Sequence, residues 1–264
     1  MRYRGSVRPA IRRGSIREFF GSYPNLKGCW SLDGNMRDES GNANHGTISG
    51  NVVPYIGKFG NSYLFDGSSG YIYAVDSPSL DIIDAITLGA WVKPDTLNAY
   101  HPIIGKTSTD TIVDYLLRIY DGLHLQFVFY NGGYYYLNDT TTSIRSNIWT
   151  YVAVTYDKQY IKIYVNGNII NQKSTTQAML PSAASLYIGY HLSVVGNQYW
   201  KGLISETVVF NRALSPAEIS QYYQWATATP RKYWLYSPEI VAAGNLLVHP
   251  GYDGGYRKHR GGYR

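Results

Sequence analysis

The chain carries one cysteine, Cys29, in 264 residues. No intrachain disulfide can form, so the fold has to hold by packing alone. Cys29 sits in an apolar strand pattern and reads as a small buried hydrophobe rather than a reactive thiol. Charged residues amount to only 16% against 44% apolar ones, which excludes a solvated polyelectrolyte and implies a folded body. No apolar run reaches membrane-spanning length. The first 20 residues lack the continuous apolar core of a secretory leader. The expectation is a protein synthesised in the cytoplasm that reaches a virion or an extracellular surface without a classical signal peptide.

Catalytic signatures are missing as well. The histidines, His45, His101, His124, His191, His249 and His259, are scattered. No H-E-x-x-H, C-x-x-C, P-loop or nucleophile-elbow pattern occurs. Retaining glycosidases need two carboxylates about 5–5.5 Å apart, and no E-x-D-x-x-E strand supplies them. Asp76, Asp81 and Asp84 surround Ser77-Pro78 and read as turn formers, while Glu206 stands alone on its strand. The expectation is a non-enzyme with no catalytic residues.

Tyrosine is plentiful, with 27 residues; it favours strands and offers large, rigid contact area. The net charge of +6 is unevenly placed. Residues 1–27 hold seven Lys/Arg against one acid, and residues 230–264 hold six against two. The body between them is mildly acidic. Three segments follow: a basic N-terminal arm (1–27), a β-rich domain (28–226), and a C-terminal extension (227–264) that ends in a Gly/Tyr/Arg-rich tail. Basic ends of this kind dock on acidic surfaces.

From Cys29 onward, short alternating runs are separated by Gly, Asn, Asp, Ser and Pro clusters, the texture of an all-β sandwich. Strands are predicted at 62–67, 71–75, 86–93, 151–156, 185–189 and 202–210. Residues 116–129 read as a hairpin turning at Asp121-Gly122. Residues 161–170 read as another, with Asn166-Gly167 supplying the positive-φ pair of a type I′ turn. One helix is predicted from Ser215 to about Ala226: Ser215 caps it, Pro216 fits its first turn, and Glu218 closes a capping box. Trp91 and Trp149 are expected between the sheets.

Several of these stretches carry a resemblance. CWSLDGNMRDESGNANHGTISG (29–50), GKFGNSYLFDGSSGYIYAVDSPSLD (57–81), ITLGAWVKP (86–94), IWTYVAVTYD (148–157), IKIYVNG (161–167) and KGLISETVVFNRALSPAEI (201–219) occur in the order seen in laminin-G-like domains. The chain resembles that family, of the concanavalin A-like lectin/glucanase jelly rolls, over residues 28–226. The resemblance implies an antiparallel two-sheet jelly roll with one short C-terminal helix. The fold hosts lectins, adhesion modules, enzyme accessory domains and coat proteins, so it does not by itself assign a function. It also implies a Ca²⁺ ion at the sandwich rim, which needs 6–8 oxygen ligands. The family's late Asp-Glu pair reads Ser205-Glu206 here, one carboxylate short, leaving Asp38, Asn44, Asp66 and Glu206 as the candidate ligands.

Three roles are compatible with this reading. Placed first is a self-assembling or particle-decorating subunit, such as a phage virion component, whose arms dock on neighbouring copies, capsid or filament through Arg12, Arg13, Arg17, Arg257, Lys258, Arg260 and Arg264. Such a subunit would be a homo-oligomer. Placed second is glycan recognition. Tyr130, Tyr134 and Tyr136 surround an Asn131-Gly132-Gly133 tip, and Tyr190, Asn197, Tyr199 and Trp200 form a second polar-aromatic stretch. Alternation sends Tyr135 to one face and Tyr134 and Tyr136 to the other. Nucleic-acid binding through the GGYRKHRGGYR tail ranks last.

Overall fold

The computed structural model describes residues 16–97, 100–122, 124–141, 144–193 and 196–228. In chain order, helix α1 (Ile16–Phe20) precedes β1 (Leu26–Trp30), β2 (Thr47–Ser49), β3 (Val52–Ile56), β4 (Asn61–Asp66), β5 (Tyr71–Ala74) and β6 (Ile86–Pro94). Next come β7 (His101–Thr109), β8 (Ile112–Tyr120), β9 (His124–Tyr130), β10 (Tyr134–Asn138), β11 (Thr150–Tyr156) and β12 (Tyr160–Val165). The chain continues through β13 (Asn168–Ser174), β14 (Leu186–Ile188), β15 (Tyr190–His191), β16 (Gln198–Tyr199), β17 (Lys201–Phe210) and α2 (Pro216–Ala228).

Among the described residues these strands form two large antiparallel sheets. One runs β13-β12-β11-β6-β17-β4-β3, with β1 also paired to β17; the other runs β10-β9-β8-β7-β14-β5-β2. The short pair β15-β16 stands apart. This is the expected jelly-roll sandwich. No helix among the described residues is long and apolar enough to cross a membrane.

The side-chain period of two explains the core. On β11, Val152, Val154 and Tyr156 face the inter-sheet core together with Leu88 of β6, Ile163 of β12, and Leu117 and Phe127 from the opposite sheet. Each fully buried side chain of this size contributes about 1.5–3 kcal/mol. The alternate residues of the same strands point the other way, into a second cluster. There Trp91, Tyr151 and Tyr164 meet Ile219 and Tyr222 of α2 and Ile16 and Phe20 of α1. Trp91 and Trp149 therefore do not pack between the sheets. Ile86, Leu88, Ala90 and Val92 take the inward positions of β6, so Trp91 must face outward, under α2. Trp149 is half-buried against the same outer cluster.

Both predicted hairpin turns have their two left-handed residues, Asn166 and Gly167 (φ 51° and 83°) and Asp121 and Gly122 (φ 54° and 75°). At Gly167 a Cβ would also come within 3.0 Å of Tyr223. The capping box closes as expected: Glu218 N donates to Ser215 Oγ at 3.2 Å, and Ser215 N donates to Glu218 Oε2 at 2.7 Å. Arg212 holds Glu218 through both terminal nitrogens, at 3.1 and 2.7 Å.

The N-terminal boundary moves. Residues 16–27, expected within a basic arm, belong to the body: Ile16 and Phe20 are buried and β1 already begins at Leu26. The main-chain N–H of Ile16 donates to the buried carboxylate of Glu206. Cys29 is buried, and its thiol is pushed well above its ordinary range, first by burial and then by Glu206, Glu39 and Asp38.

Helices α1 and α2 cover the outer face of the eight-stranded sheet. No helix among the described residues contributes to the buried cluster on the outer face of the seven-stranded sheet, which holds only Val113, Leu116 and Val128 with Tyr130 against it.

Candidate functional site

This face of the seven-stranded sheet has a definite build. In register across three strands, Arg118 of β8 sits opposite Gln126 of β9, and Gln126 opposite Asn138 of β10. Leu117 and Phe127, adjacent in sequence to the first two, turn into the core. Period-two alternation thus sends the polar row outward. Arg118 Nε donates to Gln126 Oε1 at 2.9 Å, and Gln126 Nε2 donates to Asn138 Oδ1 at 2.7 Å. The neighbouring row is Leu116, Val128 and Tyr136.

Aromatic rings flank these rows. The Arg118 guanidinium lies 5.2 Å from the Tyr100 ring and 5.3 Å from the Tyr120 ring, within cation–π range. Tyr134 and Tyr136 expose 52% and 46% of their surface, and Tyr100 exposes 36%. Tyr135 faces the core and stacks on Phe129 at 5.3 Å, the split that strand alternation predicts. Tyr130 meets Tyr134 edge-on at 5.1 Å. Tyr100, Tyr120, Tyr134 and Tyr136 line a cavity of about 350 Å³ with Arg118, Gln126 and Asn138; Tyr130, expected in the site, packs beside it against Val113, Leu116 and Val128 and is not part of its lining.

Asp110 organises the remaining wall. It accepts from Ser193 Oγ at 3.0 Å, its main-chain oxygen accepts from Tyr134 OH at 2.9 Å, and His191 Nε2 lies 3.1 Å from its other carboxyl oxygen. Burial pushes His191 below its ordinary pKa, against the opposing pull of Asp110. The ring is therefore neutral at pH 7. A carboxylate can only accept, so Nε2 carries the proton toward Asp110 and Nδ1 accepts from Thr107 Oγ1 at 3.0 Å. Burial also lowers Arg118, but guanidinium stays charged.

The second expected stretch divides. Tyr190 and Tyr199 face each other across β15-β16, and Tyr190 stacks on Tyr71 at 4.6 Å with Tyr187 and Tyr73 beside them. Asn197 links the two phenols, accepting from Tyr190 OH at 3.1 Å and donating to Tyr199 OH at 3.4 Å. His191 and Gln198, the other pair of this hairpin, line the groove instead. Trp200 does not join either group. It is fully buried in the inter-sheet core with its ring 5.9 Å from His101. Its main-chain N–H donates to Gly189 O where the chain turns inward from β16, so it cannot stack on a ligand.

The candidate calcium ligands do not converge. Asp38 accepts from Cys29 N, Ser40 N, Ser40 Oγ and Asn44 N, all within 2.8–2.9 Å. Asn44 donates its amide to Lys27 O and Ser79 Oγ, both at 2.8 Å. Asp66 accepts from the N–H groups of Ser68, Ser69 and Gly70 and from both serine hydroxyls. Its slight burial pushes the carboxyl up, but these donors outweigh it and hold the group well below the usual carboxylate range. Glu206 is tied to Ile16. The carboxylate oxygens of Asp38 and Asp66 are taken up by protein donors. Among the described residues no group of three or more His, Cys, Asp or Glu is placed to hold a metal ion.

Of the arm residues, Arg17 lies on α1, within 3.8 Å of Glu39. Arg12, Arg13, Arg257, Lys258, Arg260 and Arg264 lie outside the described residues, as does the tail beyond Ala228. Arg118, Gln126, Asn138, Tyr100, Tyr120 and Asp110 were not anticipated as site residues. The signal available for three of them was the LLRIYDGLHLQFVF hairpin, in which Arg118, Tyr120 and Gln126 alternate against core-facing neighbours.

The two-sheet jelly roll, with an aromatic groove on a face that no described helix covers, has the architecture of the concanavalin A-like class. Residues 66–220 match the Concanavalin A-like lectin/glucanases superfamily, and the chain belongs to that family. Curated proteins yield no match. Among solved structures, the chain is similar to domain 4 of AbnA, a GH43 extracellular arabinanase from Geobacillus stearothermophilus, in complex with arabinotriose. Identity is 21%, the TM-score is 0.62, and the match covers 76% of this chain and 98% of that one. It is also similar to the binding domain of Paraclostridial Mosquitocidal Protein 1, with 16% identity, a TM-score of 0.62, and coverage of 76% and 52%. The binding domain of botulinum neurotoxin DC in complex with SialylT gives 14% identity, a TM-score of 0.62, and coverage of 77% and 52%. The match thus spans about half of each toxin binding domain. At these identities the likeness shows a shared fold.

Proposed function

We propose that this protein is a non-catalytic carbohydrate-binding module whose ligand lies in the groove on the outer face of the seven-stranded sheet. The observation that carries the reading is the pairing of exposed tyrosine rings with a fixed polar row. Tyr134, Tyr136 and Tyr100 present their rings around Arg118, Gln126 and Asn138. Sugars offer an apolar face of C–H groups and a rim of hydroxyls, so they need flat aromatic surface and positioned donors and acceptors side by side. A cavity of about 350 Å³ is within the size range of small-ligand sites. The arabinanase domain bound to arabinotriose and the neurotoxin domain bound to SialylT give the reading support at the level of fold.

Among the described residues the groove is lined by one carboxylate, Asp110. Glycoside hydrolysis by the usual route needs two, which favours binding over cleavage. The assembly role expected first from the sequence rests on arm residues that, apart from Arg17, lie outside the described set. The groove lies within it, and glycan recognition is therefore the reading we put first. A virion or extracellular surface, where glycans are met, suits such a module.

The test is a glycan array probed with the full chain, followed by titration of the best glycan against Tyr134→Ala and Tyr136→Ala. Binding that falls about tenfold or more in either variant, as expected of an aromatic anchor, supports the groove. Binding unchanged in both variants moves the site elsewhere, and an array with no positive glycan removes the carbohydrate reading.

A further inference from the structure

We infer that the groove selects sugars bearing a carboxylate, and that Arg118 is the residue that reads it. The inference deepens the carbohydrate reading above and rests on it.

Arg118 is held for such a task. Its strand neighbours Leu117 and Ile119 are fully buried, which anchors the backbone beneath it. Its Nε is committed to Gln126 Oε1 at 2.9 Å, and the rings of Tyr100 and Tyr120 flank the guanidinium. Orientation and plane are therefore set before any ligand arrives, which lowers the entropy lost on binding.

Its charge, by contrast, is answered only at a distance, by Asp110 in the same groove. Among the described residues no carboxylate lies within ion-pair distance of Arg118. Asp110, the acid lining the same groove, directs its oxygens to His191 and Ser193. The Gln126 amide on Nε is neutral, and no hydrogen bond from Nη1 or Nη2 is made to another described residue. A half-buried cation with no carboxylate in direct contact is costly, and the tyrosine faces offset only part of that. A ligand anion would complete the set.

The fork geometry indicates which anion. Guanidinium and carboxylate are both planar and pair through two parallel N–H···O bonds. Among the described residues Arg118 is the one Lys or Arg lining the cavity. A single positive group matches a single negative charge on one sugar, as in a uronate or a sialate. A densely sulfated chain would require several cations.

The experiment compares acid and neutral forms on the full wild-type chain by calorimetry, using trigalacturonate against its methyl ester and sialyllactose against lactose. The inference expects the free acid to bind at least about tenfold more tightly in one of the pairs, with the gap narrowing as salt is raised. The pair that shows the gap tells uronate from sialate. Arg118→Met should bring the acid down to the affinity of the neutral form, and Arg118→Lys should keep part of the gap because charge remains but the fork is lost. If Arg118→Met fails to fold, the wild-type acid–neutral comparison still decides. Equal binding of acid and neutral forms in both pairs overturns the carboxylate assignment and leaves the groove reading standing. No binding of any of the four probes, with an array empty of positives, overturns both.

Discussion

Lys106 Nζ lies 2.9 Å from Asp114 Oδ2, with the lysine side chain wholly enclosed and the aspartate 2% exposed. Asp76 and Asp81 approach the same ammonium at 3.0 and 2.9 Å, and Ser182 contributes its main-chain oxygen. Asp114 in turn accepts from Ser182 N at 2.9 Å and Ser182 Oγ at 2.7 Å. The centre ties β7 and β8 to the loops before β6 and before β14. Burial alone would lower the Lys106 pKa, but the hydrogen bonds its ammonium donates to Asp114, Asp81 and Asp76 outweigh it and raise the pKa.

Removing one partner of a buried ion set leaves the others uncompensated. Lys106→Met is expected to destabilise the protein by about 3–5 kcal/mol, read from the urea midpoint at constant m-value. The folded pKa lies above the unfolded one, so this stabilisation is fully present below the unfolded pKa and is lost as pH rises through the folded pKa. A loss under about 1 kcal/mol would show that the centre is dispensable.

Three consecutive tyrosines should behave oppositely. Tyr134 and Tyr136 face the groove, and Tyr135 lies on Phe129. Tyr136→Ala should leave stability within about 0.5 kcal/mol and lower glycan affinity. Tyr134→Ala should do the same apart from about 1 kcal/mol for its bond to Asp110. Tyr135→Ala should lower the melting temperature, with a cost of about 2–3 kcal/mol. Thermal melts of the three variants side by side check the pattern.

Tyr222 OH accepts the indole N–H of the buried Trp91 at 3.1 Å. Tyr222→Phe keeps the ring and removes the acceptor, so a buried donor loses its partner at a cost of about 1–3 kcal/mol. Denaturant unfolding measures the cost. Equal stability of the two proteins would mean that the indole finds another acceptor.

Asp139 is 3% exposed. Burial, outweighing the nearby N–H groups of Leu125 and Thr141 and the side chain of His124, pushes its carboxyl up to about 6. The folded pKa is above the unfolded value of about 3.9, so the folded state binds the proton more tightly and stability falls as pH rises from about 4 through 6. Asp139→Asn should remove that slope and be more stable than wild type at pH 7 by on the order of 2 kcal/mol. Unfolding free energies of both proteins between pH 4 and 8 give the comparison; parallel curves would refute it.

Local rules in the sequence determined much of the fold. The period of two placed Val152 and Val154 inward. Asn166-Gly167 set a hairpin, and Ser215 with Glu218 set the start of α2. The same period separated Tyr135 from its neighbours. These outcomes depend on residues within a few positions of one another, so they are legible along the chain. The site depends on relationships of another kind. The row Arg118–Gln126–Asn138 exists because three strands pair in one register, and Tyr100 and Asp110 arrive from loops on either side of β7. Trp91 went outward because α2 returned to cover that sheet, and Trp200 went inward because the chain turns beneath β15-β16. Alternation states that a side chain lies on one of two faces. Which face becomes core, which is roofed by a helix and which stays open as a groove is decided by contacts between residues far apart in the chain, formed only when the two sheets close on each other.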